Sequence, residues 1–198
     1  DADRLGIAVR NHKGEMELLN GNQTMIVMTQ LILDRVKREQ NQDYFIGSTV
    51  VSTPMMSVLA SHYNVDCKIG LTGFKWIAKM IEDYPNQPFI GGGEESYGYM
   101  VGDFVRDKDA ITSSLLACEI AAEAKSKGSS FFQTLVECYV KYGFYKERLI
   151  SLVKKGKKGA AAKGKGKKTK GDTNAQPQQS WDAWSNTKDQ NQQAWDNY

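Results

Sequence analysis

The sequence predicts an α/β domain, a mostly parallel sheet covered by helices, followed by a disordered carboxyl-terminal tail. Three observations predict it. Short apolar runs and helix-like patterns alternate at short intervals along the first 150 residues, the rhythm of βαβ units. Apolar residues at Met25, Met28, Leu31, Ile32 and Val36 recur at helical spacing. The apolar run 88–90 feeds directly into the string Gly91-Gly92-Gly93-Glu94-Glu95-Ser96-Tyr97-Gly98-Tyr99.

Residues 5–9 and 15–19 read as two short strands joined by the polar turn Asn11-His12-Lys13-Gly14. A helix is expected from about 22 to 39, where the polar end Lys37-Arg38-Glu39-Gln40 meets solvent. Residues 44–51, rich in aromatic and β-branched side chains, form the next strand. Ser52-Thr53-Pro54 starts a helix to about 63, with Thr53 as cap and Pro54 in the first turn. A strand at 65–69, a helix at 74–83 opened by Thr72-Gly73, and a short strand at 88–90 follow. Past the glycine string, Asp109 caps a long helix that stops at Gly128, Ser129 caps another that ends at Gly143, and 149–153 reads as one more strand.

The chain has 198 residues, 40% of them hydrophobic, enough for one domain with an ordinary core. Its net charge of +3 conceals a division. Nine lysines fall between Lys154 and Lys170 with no acid among them, and without them 17 basic residues face 23 acidic ones, a net of −6. The folded part is therefore acidic, which argues against a nucleic-acid-binding core. No apolar run is long enough to span a bilayer, no apolar or amphipathic leader is visible, and a cytoplasmic location is expected. Cys67, Cys118 and Cys138 lack metal-ligand spacing and sit in apolar patterns, so reduced, buried thiols are expected, with no disulfide and no zinc.

The glycine string suits a polyol. Glycine lets a backbone turn sharply and approach a ligand, and a carboxylate accepts hydrogen bonds from two neighbouring hydroxyls at once. The competing view is a glycine-rich turn with solvated acids. Glu95 is either a second ligand acid or a structural acceptor. Asp1 and Asp3 place two hard oxygen donors ahead of a strand, suited to Mg²⁺. Ordinary terminal acids, or a dehalogenase-type nucleophile pair, are the alternatives, although the latter should follow a strand rather than precede one.

Four strings in register, Asp1-Ala2-Asp3-Arg4-Leu5, Thr72-Gly73-Phe74-Lys75-Trp76, Gly91-Gly92-Gly93-Glu94-Glu95-Ser96 and Arg106-Asp107-Lys108-Asp109, resemble the phosphohexomutases, the phosphoglucomutase and phosphomannomutase superfamily. The likeness runs from Asp1 to about Gly159 and is nearest the phosphoglucomutase and phosphopentomutase branch. It implies four α/β domains around a cleft, of which this chain would hold only the middle. Residues 1–14 would end the metal-binding domain, 15–145 would be the sugar-binding domain and 146–159 would open a truncated fourth domain. Residues 160–198, rich in lysine and glycine and then in glutamine, asparagine and tryptophan, match nothing in that family; their composition cannot bury enough apolar area to fold, and they are expected to be a disordered tail.

The resemblance also implies residue roles. Asp1 and Asp3 match metal aspartates, with Arg4 supporting. Glu94 and Ser96 match residues that hold sugar hydroxyls, Thr72, Gly73, Phe74 and Lys75 match a second ligand-facing loop, and Lys108 matches a basic residue near the phosphosugar. The implied reaction is an isomerase chemistry, phosphoryl exchange within a sugar phosphate through an enzyme phosphoserine, assisted by Mg²⁺. No phosphoserine loop is recognised here. Ala60-Ser61-His62-Tyr63-Asn64 superficially resembles the family's T-A-S-H-N-P string, but it carries an inserted Tyr63, lacks the proline and falls at a helix end. The chain alone is expected to be inactive. The alternative is a mutase-derived, non-catalytic binding module whose lysine run and tryptophans (Trp181, Trp184, Trp195) recruit a protein partner.

Overall fold

A computed structural model describes residues 1–37, 42–147 and 150. Among these residues, six strands and five helices run in the order β1 (Ile7–Arg10), β2 (Met16–Leu19), α1 (Gly21–Arg35), β3 (Phe45–Thr49), α2 (Met55–His62), β4 (Asp66–Gly70), α3 (Phe74–Asp83), β5 (Phe89–Gly93), β6 (Tyr99–Val101), α4 (Ala110–Ser126) and α5 (Phe131–Tyr142). β1 and β2 form an antiparallel hairpin. The main sheet has the order β4-β3-β5-β6, with β3 parallel to both β4 and β5 and β6 antiparallel to β5.

Successive side chains of a strand face opposite sides of its sheet, and here the two sides have separate cores. Phe45, Phe89 and Met100 pack with Phe74, Ile77, Met80 and Ile81 of α3. Ile46 and Ile90 join a larger core supplied by α1, α2, α4 and α5, including Met25, Met28, Leu59, Leu116 and Leu135. α1 lies at the centre of that second layer. Asn20 caps it with a reciprocal bond to Gln23, the buried Thr29 and Tyr99 hydroxyls meet at 2.9 Å, and Arg35 bridges Glu119 and Glu123 of α4. No helix among the described residues is long and apolar enough to cross a membrane.

Several expectations change. α1 stops at Arg35, where Val36 turns to extended backbone, instead of continuing toward 39; residues 38 and 39 lie outside the described set. Pro54 itself occupies the cap position of α2, although the Thr53 hydroxyl accepts the Met55 N–H at 3.3 Å. Ser130, not Ser129, caps α5 by accepting the Gln133 N–H. Cys138 is buried and Cys67 half-buried, but Cys118 is exposed on the outer face of α4. The strand expected at 149–153 and the tail fall outside the described residues.

The largest difference concerns the glycines. Gly91, Gly92 and Gly93 are not a loop. They belong to β5, paired with β3 on one side and β6 on the other. A Cβ on Gly92 would overlap the Gly47 carbonyl, and one on Gly93 would lie 2.6 Å from Gly98 O, so these positions need small residues for close strand packing rather than for bending. The bend comes afterwards, at 94–98.

Candidate functional site

Three loops follow the carboxyl ends of the parallel strands: 71–73 after β4, 50–54 after β3 and 94–98 after β5. That end of an open α/β sheet is where such folds bind ligands. The turn 94–98 is tight. The Glu94 N–H donates to Gly98 O at 2.9 Å, and Tyr97 has a φ of 70°, a left-handed conformation uncommon for a residue with a Cβ.

Glu94 is 4% exposed. Its Oε1 accepts the Gly73 N–H at 2.6 Å and its Oε2 accepts the Ser96 hydroxyl at 3.4 Å. One carboxylate thus joins the β4–α3 loop to the β5–β6 turn. A backbone N–H is a donor the chain cannot rotate away, so the carboxylate is fixed in direction before any ligand arrives. The site extends through Phe74, whose ring lies beneath Gly98 and 5.7 Å from Lys108 Nζ. Lys108 Nζ in turn meets Asp3 Oδ2 and Asp107 Oδ1, each at 3.2 Å.

The charges of this group are coupled. The hydrogen bond and charge of Lys108 hold the Asp3 carboxyl below its ordinary value of 3.8, against the smaller opposing effect of burial. For Lys108 the largest single influence is desolvation, which pulls its pKa down, but Asp3 and Asp107 together outweigh it and the net shift is upward from 10.5. Both partners are therefore charged at neutral pH. The segment carrying Asp3 reaches the site through two backbone bonds, Leu5 N–H to Tyr97 O at 3.2 Å and Ala110 N–H to Ala2 O at 3.1 Å.

Of the residues singled out by sequence, Gly73, Phe74, Glu94, Ser96, Lys108 and Asp3 come together. Phe74 is buried in the α3 core and acts as the floor under the turn. Thr72 and Lys75 are exposed. Lys75 lies over Trp76, 5.4 Å from its ring, on an open groove of about 540 Å³ that also takes in Lys79 and Arg106. Asp1 is exposed, and Arg4 is exposed with its Nε 3.9 Å from Asp3. Among the described residues no group of three or more His, Cys, Asp or Glu side chains is arranged to hold a metal. Asp1 and Asp3 offer hard oxygen donors of the type Mg²⁺ takes, one or two carboxylates at a time, with Asp3 already engaged by Lys108. Sequence reasoning missed the part that Ser52 and Gly21 play in contacting the turn, with Thr49 behind Ser52; Ser52 was read only as part of a helix start, and the other two carry no motif signal.

The fold and this cluster define an α/β domain that presents an acid, a hydroxyl and a cation beside the carboxyl ends of the parallel strands of a mixed sheet. The family model for phosphoglucomutase/phosphomannomutase, alpha/beta/alpha domain III, matches residues 20–139, and the chain belongs to that family. It is 38% identical over 162 residues to the phosphoglucomutase of Staphylococcus epidermidis, an alignment that covers 81% of this chain and 29% of that protein. The chain therefore spans under a third of the length of this relative. The crystal structure of a phosphomannomutase homologue from Thermus thermophilus superposes with a TM-score of 0.57 at 21% identity, covering 72% of this chain and 29% of that one. An N-acetylphosphoglucosamine mutase of Aspergillus fumigatus, solved with GlcNAc-6P and magnesium, superposes at 0.53 with 14% identity, over 70% and 34% of the two chains. At such identities these two structures speak to the fold.

Proposed function

We propose that this domain is the sugar-reading part of a phosphosugar mutase, in which Glu94 and Ser96 hold ring hydroxyls of a sugar phosphate. The observation that carries the proposal is the buried Glu94 carboxylate, fixed by the Gly73 N–H at 2.6 Å and facing the Ser96 hydroxyl. A carboxylate has about four acceptor sites, so one backbone donor and one weak serine contact leave capacity for two ligand hydroxyls. Thr72, Gly73, Phe74 and Lys75 would form the second wall. Lys108, now paired with Asp3 and Asp107, would neutralise phosphate charge.

The activity proposed for the whole protein is transfer of a phosphoryl group between two positions of one sugar, an isomerase reaction through a phosphoserine outside this domain. For such a transfer a protein supplies positioning and charge neutralisation. Asp1 and Asp3, with Arg4 beside them, would hold Mg²⁺, which supplies Lewis-acid polarisation of a phosphoryl oxygen when bound. The domain division at residues 14, 145 and 159 is part of the same proposal. Because Glu94 and Ser96 touch hydroxyls and leave the phosphates to other groups, the ring can be held in either of two orientations. Glucose, mannose and pentose phosphates all present suitable hydroxyls.

Calorimetry with glucose 1-phosphate tests the proposal. The 198-residue chain is expected to bind the probe more tightly than it binds free glucose, to lose that binding in Glu94→Ala, and to show no conversion to glucose 6-phosphate. Equal affinity in Glu94→Ala, or turnover by this chain alone, would overturn it.

A further inference from the structure

The two acids of the turn, Glu94 and Glu95, are adjacent in sequence but have different surroundings. Glu94 faces Gly73 and Ser96. Glu95 faces the opposite way, into the framework behind the turn: its Oε2 accepts the Ser52 hydroxyl at 3.1 Å, and its own N–H donates to the same Ser52 Oγ at 3.1 Å. The Ser52 Oγ also lies 2.7 Å from Thr49 Oγ1. Ser52 has a single hydroxyl proton, and it is spent on the carboxylate. The Thr49 hydroxyl must therefore be the donor in the third contact. The result is a directed chain from Thr49 to Ser52 to Glu95, every member satisfied, anchored on the last residue of the central strand β3.

The rest of the turn is confined from two further sides. Gly21, the first residue of α1, packs so closely that any side chain there would overlap the Glu95 carbonyl, and its Cβ would also stand 2.8 Å from the Tyr97 nitrogen. Tyr97, held at positive φ, has its carbonyl bound by the Leu5 N–H at 3.2 Å. A conformation disfavoured for tyrosine persists only where its surroundings impose it, and these contacts are what impose it.

We propose that Ser52 and Glu95 are positioning residues for the candidate sugar site: Glu95 is a structural acceptor that locks the turn onto β3 through Ser52 and Thr49, so that Glu94 and Ser96 are aimed before ligand binds. This rests on the function proposed above for Glu94. It separates two acids that look equivalent in sequence, assigning hydroxyl recognition to the first and preorganisation to the second. Preorganisation of this kind raises affinity by removing the ordering cost from the binding step.

The test is a titration of the ¹⁵N-labelled 198-residue chain with glucose 1-phosphate, together with amide exchange at Glu95 and Gly73 in the ligand-free protein. Ser52→Ala and Glu95→Ala are each expected to weaken the probe by about ten-fold, the scale of one charge-assisted hydrogen bond. The double variant should be no weaker than Ser52→Ala alone, because losing the Ser52 hydroxyl already removes the bond to the Glu95 carboxylate that Glu95→Ala breaks. Ser52→Thr and Glu95→Gln keep a donor and an acceptor respectively and should restore affinity to within about two-fold, with the exchange of the Glu95 and Gly73 amides restored in parallel. Thermal melts would separate these effects from a general loss of stability.

A Glu95→Gln loss as large as that of Glu95→Ala would make Glu95 a ligand acid and overturn the proposal, as would unchanged affinity and exchange in Ser52→Ala. If the unsubstituted chain fails to bind the probe, the sugar-site proposal falls. The exchange rates at Glu95 and Gly73 then decide the positioning claim alone, faster exchange in Ser52→Ala supporting it and equal exchange overturning it. Should Ser52→Ala not fold, the Glu95 pair gives the same decision.

Discussion

Glu94 and Asp3 are both acids of the candidate site, yet they are held in different ways. Glu94 sits at the end of a strand paired on both sides, 4% exposed, with a backbone N–H on its carboxylate. Asp3 sits on a segment without regular secondary structure, partly exposed, tied mainly by an ion pair to Lys108. The first is placed by the fold of this domain and the second by a contact that solvent can compete for. The difference teaches where preorganisation resides. The residues proposed to read the sugar are held by paired strands and backbone donors, whereas the carboxylates proposed for the metal, Asp1 and Asp3, lie on an exposed or partly exposed segment without regular secondary structure.

The comparison can be broken most forcefully at the glycines. Gly92→Ala would drive a methyl into the Gly47 carbonyl, an overpacking for which backbone cannot yield cheaply. A loss of about 3 kcal/mol or outright failure to fold is expected, measured by urea denaturation; a loss within the error of that measurement would mean that the strand pairing around the site is looser than described. A smaller effect belongs to Glu94 itself. Glu94→Ala leaves the Gly73 N–H without its acceptor and should cost about 1–2 kcal/mol, seen in the same experiment together with faster exchange of the Gly73 amide.

The smallest effect is expected at Asp3. Its folded pKa lies below 3.8, so the stabilisation it gives is fully present above that value and is lost as pH falls through the lower folded value. Lys108, raised from 10.5, behaves in the opposite sense, keeping its contribution below 10.5 and losing it as pH rises through the higher folded value. Melting temperatures of the unsubstituted protein and Asp3→Asn should therefore differ slightly and evenly from about pH 5 to pH 9, converge in strong acid, and differ less in high salt, where exposed pairs are screened. A difference that survives molar salt would mean that Asp3 is held as firmly as Glu94.

Much of the fold was legible because its signals are local. The helix 74–83 has strong amphipathic spacing, and its bounds match α3, Phe74–Asp83. Asp109 accepts the Ile111 N–H as a cap should, and Gly143 ends α5 with a φ of 101°. What was missed depends on tertiary surroundings. The three glycines resemble a loop when only their flexibility is considered, and a strand only when the Gly47 carbonyl and the 98–101 segment are seen against them. β6 has three residues, too few to show a period. Ser129 and Ser130 are indistinguishable as caps until the chain path selects one. At the site, the acids and the lysine were legible as motif residues, but the split between Glu94 and Glu95 was not, because it is set by Ser52, 43 positions away in sequence.

The Glu94 carboxylate, aimed by the Gly73 N–H and flanked by the Ser96 hydroxyl, is the group proposed to receive hydroxyls of a sugar phosphate. The most direct measurement is a chemical-shift map of the ¹⁵N-labelled chain during titration with glucose 1-phosphate, repeated on Glu94→Gln, which keeps the shape and an acceptor for Gly73 but removes the charge. The largest shifts are expected at the amides of Gly73, Glu94, Ser96 and Lys108, with a binding curve weakened by about ten-fold or more in the variant. Saturable shifts elsewhere with these four amides unmoved, or an identical curve for Glu94→Gln, would contradict it.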